Sequence, residues 1–110
     1  MSIGRRRVCG GLAGALGAPA IFAAGPTVDV IIVDYQFRPA RLEVKAGTTV
    51  RWVNQEKRTT HSVLFTGPGG FESERFFPGD SWERRFDQPG LYPYTCGPHP
   101  EMKGLVEVTP

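Results

Sequence analysis

This sequence has few of the residues that usually carry chemistry. Its 110 residues include two cysteines, two histidines and two methionines. Cys9 and Met1 fall in the N-terminal quarter, so the remainder keeps only Cys96 and Met102. A disulfide within that remainder is excluded. Past the N-terminal stretch there is no run of like charge, which argues against nucleic acid or a membrane surface as partner. From Thr27 onward no segment carries a helical apolar period, and no repeat, linker or second domain is visible. A chain of this length makes one core, not two.

The N-terminal quarter has its own character. Arg5-Arg6-Arg7 precedes Val8 to Ala24, an apolar stretch dominated by Gly and Ala with no acidic residue. Small residues suited to cleavage stand at Ala18-Pro19-Ala20 and Ala23-Ala24. This predicts a secretory signal peptide over residues 1–24 and a mature domain over residues 25–110. The stretch is short for a bilayer span and too rich in glycine for a good helix. Arg5-Arg6-Arg7-Val8 resembles a twin-arginine export signal, with an ordinary secretory signal as the alternative. Cys9 precedes the apolar stretch, so a lipoprotein anchor is not expected. The expected location is the periplasm, with no membrane contact after cleavage. Removing the signal leaves 10 basic residues against 11 acidic, so a precursor charge of +2 becomes about −1. Cys96 is then an unpaired thiol in an exported protein, and metal ligation would shield it from oxidation.

The mature chain reads as all-β. Val28, Val30 and Ile32 alternate along one run, Leu42 and Val44 along a second, Val50 and Trp52 along a third. Further strands are expected at Ser81–Phe86, Leu91–Cys96 and Gly104–Val108. Turn signals separate them at Arg38-Pro39, Ala46-Gly47, Gly67-Pro68-Gly69-Gly70, Pro78-Gly79-Asp80 and Gln88-Pro89-Gly90. Seven or eight short strands with turns about ten residues apart predict a β-sandwich. Pro93 lacks an N–H within one of these strands, which implies an edge or a bulge there.

One segment gathers the scarce residues. In Cys96-Gly97-Pro98-His99-Pro100-Glu101-Met102 a thiol, an imidazole and a thioether recur at three-residue steps between two strand-like runs. His61 lies far upstream beside another strand. Two imidazoles, a thiolate and a weak thioether are the ligand set of a blue-copper electron-transfer site. Such a set accommodates both Cu(I) and Cu(II) with little movement, which favours fast electron transfer. Pro98 and Pro100 restrict the backbone on both sides of His99. Each residue alone has an ordinary explanation: His61 as a core or surface histidine, Cys96 as an inert buried thiol, Met102 as core filler. Structural zinc wants four Cys or His ligands, and only three such residues remain in the mature chain. A Cys96–His99 nucleophile would also need an orienting group, an oxyanion site and a substrate pocket, none of which is indicated.

The chain resembles the cupredoxins, the type 1 copper proteins, over essentially all of its mature length. The likeness includes Asp34-Tyr35-Gln36-Phe37-Arg38-Pro39, Gly47 to Asn54, His61-Ser62-Val63, Phe77 to Ser81, Gly90 to Cys96, His99, Met102 and Gly104 to Val108. Plastocyanins and pseudoazurins place more residues between the second His and the Met, and azurins lengthen both gaps. Two residues in each gap, with Pro on both sides of the His, is similar to the amicyanin-like branch. The resemblance implies a Greek-key sandwich binding one mononuclear copper ion near one end. It implies His61, Cys96 and His99 as the trigonal ligands and Met102 as the axial one. It further implies that the edge of His99 is the electron port, ringed by Pro98, Pro100 and Pro68. Amicyanin-like proteins have Asn after the first ligand His and Thr after the Cys. Ser62 and Gly97 stand there instead, so a side-chain bond tying the two loops is missing or changed.

These readings lead to an exported, monomeric electron shuttle and not an enzyme. It would dock transiently near His99 with redox proteins, a donor dehydrogenase or an acceptor cytochrome. Glu101, beside Met102, would favour basic partners. The alternative is a periplasmic copper chaperone or store using the same ligands, although no Met- or His-rich tract is present.

Overall fold

Alternation of side chains along each strand decides which face is buried, and in this chain it builds a sandwich of two sheets. The computed structural model describes residues 26–110. The signal predicted over residues 1–24 lies outside them. Eight strands form: β1 Thr27–Val33, β2 Gln36–Arg38, β3 Arg41–Lys45, β4 Thr48–Asn54, β5 Leu64–Phe65, β6 Ser81–Phe86, β7 Gly90–Thr95 and β8 Lys103–Thr109. One sheet has the order β2-β1-β4-β6 and the other β3-β8-β7-β5. Both are mixed, because β1 runs parallel to β4 and β3 parallel to β8. The chain passes from one sheet to the other at most of its connections, so the first and last strands of the domain end up in different sheets. The all-β sandwich of seven to eight strands expected from the pattern is borne out with eight.

The buried residues are the predicted alternating ones. Val30 and Ile32 of β1, Val50 and Trp52 of β4, and Val106 and Val108 of β8 all face the core. Trp52 is its centre, edge-on to Tyr94 at 5.4 Å and to Phe65 at 6.1 Å between ring centroids. Such edge-to-face pairs add about 0.5–1.5 kcal/mol each beyond the area they bury. Burial pushes the Tyr94 phenol up to about 12, so it stays neutral. Gly104 faces that ring across the β7–β8 ladder, where Tyr94 pairs with it. A Cβ on Gly104 would overlap the Tyr94 ring and its hydroxyl. Gly104→Ala is therefore expected to destabilise the domain by about 1–3 kcal/mol through overpacking, as read from the denaturant midpoint. An unchanged midpoint would mean that the Tyr94 ring is free to move.

Two strands were not legible in the sequence. β2 and β5 have three and two residues, too few to establish a period of two. Pro93 is neither on an edge strand nor at a bulge, because β7 is flanked on both sides and Pro93 keeps register with Leu105 of β8. β7 lies between β8 and β5, but β5 reaches only Tyr94 and Thr95. The Pro93 carbonyl accepts from Thr66 N at 3.1 Å, just beyond the end of β5. Its missing N–H faces that same side, so the ladder with β8 loses nothing.

Candidate metal centre

The loop after β7 is held by its own backbone. His99 N donates to Cys96 O at 3.2 Å and Met102 N to His99 O at 2.9 Å. Cys96 N donates to Met102 O at 3.1 Å, which closes the loop on itself. These successive turns, with Pro98 and Pro100 fixing φ around His99, present three side chains at three-residue intervals. His61 arrives from the other side, on an isolated bridge to Phe76 that precedes β5.

The predicted residues meet. His61 Nδ1 lies 3.4 Å from Cys96 Sγ, and Cys96 Sγ lies 3.6 Å from His99 Nδ1. All three donor atoms fall within 4.8 Å of one another. His61 and Cys96 are fully buried and Met102 nearly so, at 0%, 0% and 3% exposure, whereas His99 is only half-buried. Two imidazole nitrogens, one thiol sulfur and a buried thioether at the end of the same loop fit a type 1 copper site. Among the described residues no fourth Cys or His joins these three to complete a zinc set.

Residues that sequence reasoning missed organise the donor side chains. Glu56 places Oε2 3.2 Å from His61 Nε2, and its side chain is only 10% exposed. With Nε2–H engaged by the carboxylate, the tautomer assigned to His61 leaves its Nδ1 lone pair for a metal. Asn54, at the end of β4, fastens the loop that brings Glu56 there. Its Nδ2 donates to Thr59 O and Phe76 O at 2.9 and 3.1 Å, and its Oδ1 accepts from Glu56 N at 2.9 Å. Tyr35 forms a cover. Asp34 and Tyr35 are the two central residues of the β1–β2 hairpin, with φ of 55° and 57°, the left-handed backbone that such a tight turn demands. The turn sets the Tyr35 ring edge-on to His99 at 5.0 Å and to His61 at 5.8 Å. Tyr35 N donates to Glu56 Oε2 at 2.8 Å, and its hydroxyl shares a hydrogen bond with Thr59 Oγ1 at 3.0 Å. No Asn-Gly or Asp-Gly pair marks this turn, so its position over the site had no local signal.

Two sequence expectations need amendment. The bond between the loops is changed, not missing: Ser62 Oγ accepts from Gly97 N at 3.0 Å, so backbone replaces side chain. Pro68 lines a cleft with Arg84, Leu91, Tyr92 and Pro93, and none of the four donor residues lines it. Tyr35, 48% exposed, is the apolar neighbour found against His99. Glu101 lines a shallow groove with Tyr35, Met102 and Lys103.

Burial shifts both central donors. Burial pulls the His61 pKa down, against the opposing pull of Glu56. Burial pushes the Cys96 thiol up, against nearby backbone N–H groups of Ser62 and His99 and the Arg75 cation. A histidine whose folded pKa is depressed costs stability as pH falls below its unfolded value, because the unfolded chain binds the extra proton. A thiol whose folded pKa is raised costs stability as pH climbs above its unfolded value. The metal-free protein is thus expected to be most stable between about pH 6.5 and 8.5, and His61→Gln should flatten the acid slope. Thermal unfolding of the apo protein across pH checks this. An acid slope identical in His61→Gln would show that another group carries it.

The family model of the cupredoxin-like domain matches residues 8–108. Amicyanin-alpha of Methylorubrum extorquens is 39% identical over 100 residues, covering 87% of this chain and 82% of its own. Amicyanin of Paracoccus denitrificans is 34% identical over 95 residues, with 79% and 72% covered. Plastocyanin of Scenedesmus fuscus is 36% identical over 84 residues, with 66% and 85% covered. Among solved structures, the Cu(I) form of an amicyanin variant superposes with a TM-score of 0.72 at 30% identity, covering 79% of this chain and 86% of that one. With its two mixed four-stranded sheets and a Cys–His–Met loop facing a distant histidine, the chain belongs to the cupredoxin-like family, on its amicyanin-like branch.

Proposed function

We propose that this protein is a periplasmic type 1 copper protein that carries single electrons between redox partners. His61 Nδ1, Cys96 Sγ and His99 Nδ1 would hold the copper ion, with the Met102 thioether as a weaker fourth donor. The observation that carries the reading is the convergence of three donor atoms within 4.8 Å, on residues whose hydrogen-bond partners hold them. Bound copper supplies the one-electron couple Cu(II)/Cu(I). The protein's part is to keep the ligands still. Glu56 fixes the His61 ring, the turns of the 96–102 loop fix Cys96 and His99, and the β scaffold excludes water from the sulfur. Ligands that barely move between oxidation states give little reorganisation, and hence fast exchange.

His99 alone of the four ligands is partly open to solvent, which makes its edge the port for electrons. Pro98, Pro100 and Tyr35 border it, so a partner meets an apolar rim with little to desolvate and can leave quickly. The chain is read as a monomer that docks through this rim with a dehydrogenase or a cytochrome, without chemistry on a substrate. The N-terminal 24 residues are read as its export signal.

Voltammetry and NMR line broadening of mixed oxidised and reduced protein test the proposal. A reversible one-electron wave and rapid self-exchange are the expected results. Sluggish exchange, together with net transfer of copper to an apo acceptor, would overturn the shuttle in favour of copper delivery.

A further inference from the structure

The pair Ser62 and Gly97 departs from the amicyanin-like pattern, and a third residue accounts for both positions. Glu72 lies on a segment that runs antiparallel beside β5, bridged to Leu64. Ser73 N on the same segment donates to Val63 O at 2.9 Å, and Val63 N donates to Ser73 Oγ at 2.9 Å. This places the Glu72 carboxylate over the junction of the two ligand-bearing loops. Ser62 Oγ, fully buried, donates to Glu72 Oε2 at 2.7 Å and accepts from Gly97 N at 3.0 Å. Ser62 follows the ligand His61, and Gly97 follows the ligand Cys96. A Cβ on residue 97 would overlap the Glu72 carboxylate and press on Ser62 Oγ. The carboxylate therefore fills the space that a side chain at position 97 would need.

We propose that Glu72 is a positioning residue of the metal centre, which latches the His61 segment to the Cys96 loop through Ser62, and that Gly97 is glycine because this carboxylate takes its side-chain space. A hydroxyl has one proton to give. Glu72 accepts it, and this orients a lone pair of Ser62 Oγ toward Gly97 N. The charged acceptor also strengthens the hydroxyl bond relative to a neutral one. Without Glu72, the Ser62 hydroxyl can turn elsewhere, and the bond that registers Cys96 against His61 weakens. Fixing a first ligand through a hydrogen-bonded neighbour is a general way of tuning a metal site. The latch rests on the ligand assignment above, not on the electron-shuttle reading.

The test compares Glu72→Ala, Glu72→Gln and Gly97→Ala. In the apo protein, amide exchange at Gly97 is expected to be about tenfold faster in Glu72→Ala, as for loss of one well-made hydrogen bond. It should return toward the parent rate in Glu72→Gln, whose amide oxygen can still accept from Ser62. Gly97→Ala should cost less thermal stability in the Glu72→Ala background than in the parent, because the overlap with the carboxylate is gone, the one with Ser62 Oγ remaining, and neighbouring sites do not add. In the Cu(II)-loaded protein the visible and EPR spectra should shift in Glu72→Ala and recover in Glu72→Gln, which a remote packing role would not produce. Unchanged Gly97 exchange in Glu72→Ala would overturn the latch, and so would additive costs for Gly97→Ala and Glu72→Ala. The exchange and stability readings need no copper, so a failure of the latch is distinguishable from a failure of the copper reading.

Discussion

Replacing Cys96 by serine is expected to remove the intense visible absorption of the Cu(II) protein altogether. The colour of a type 1 site arises from charge transfer between thiolate sulfur and Cu(II), and an alkoxide or alcohol oxygen has no comparable transition. Cys96 is the one cysteine among the described residues, so no other sulfur can take over as thiolate. Its surroundings support the same result. Sγ is fully buried, with an imidazole nitrogen on either side at 3.4 and 3.6 Å. A hydroxyl oxygen is smaller and harder than sulfur, and imidazole with oxygen suits ordinary tetragonal Cu(II). The variant should therefore bind Cu(II) as a pale site with wide EPR hyperfine splitting. The absorption of Cys96→Ser, with one equivalent of Cu(II), is the check. Retention of the intense band would remove Cys96 from the ligand set, and the electron-transfer reading with it.

The second large effect is on potential. Met102→Gln is expected to keep copper but lower the reduction potential. Met102 is buried at the end of the ligand loop, its N–H bonded to His99 O at 2.9 Å, so a side chain of similar length occupies the same place. A thioether is soft and favours Cu(I), whereas an amide oxygen is hard and favours Cu(II). For a one-electron couple, each tenfold change in the ratio of the two affinities moves the potential by about 59 mV. A fall of at least one such step is expected by protein-film voltammetry. An unchanged potential would mean that Met102 is not a ligand and serves as core filler.

The four donor residues were legible because three of them sit on one short loop. Local spacing, scarcity of Cys, His and Met, and the flanking prolines carry the signal, and the structure brings His61 to Cys96 and His99. The long strands were legible for a similar reason: β1, β4 and β8 alternate over seven residues each. What surrounds the donors was not legible. Glu56, Tyr35 and Glu72 reach the site through turns and bridges that no local pattern encodes. Tyr35 contacts Glu56 and Thr59 across 21 and 24 positions, and Ser62 meets Gly97 across 35. A glutamate in sequence reads as a solvated charge, and only the folded loop shows Glu56 tucked behind His61. Gly97 likewise reads as a lost side chain until the Glu72 carboxylate is seen in its space. The β5 strand and the Pro93 position belong together in the same way: the two-residue partner stops at Tyr94, so the missing N–H of Pro93 interrupts no ladder.

The most direct test of the account is the visible and EPR spectrum of residues 25–110 after addition of one equivalent of Cu(II). An intense band near roughly 600 nm with narrow copper hyperfine splitting is the predicted result for thiolate, two imidazoles and a weak thioether. A pale protein with ordinary copper EPR would contradict it, because Cys96 would then not be bound to Cu(II).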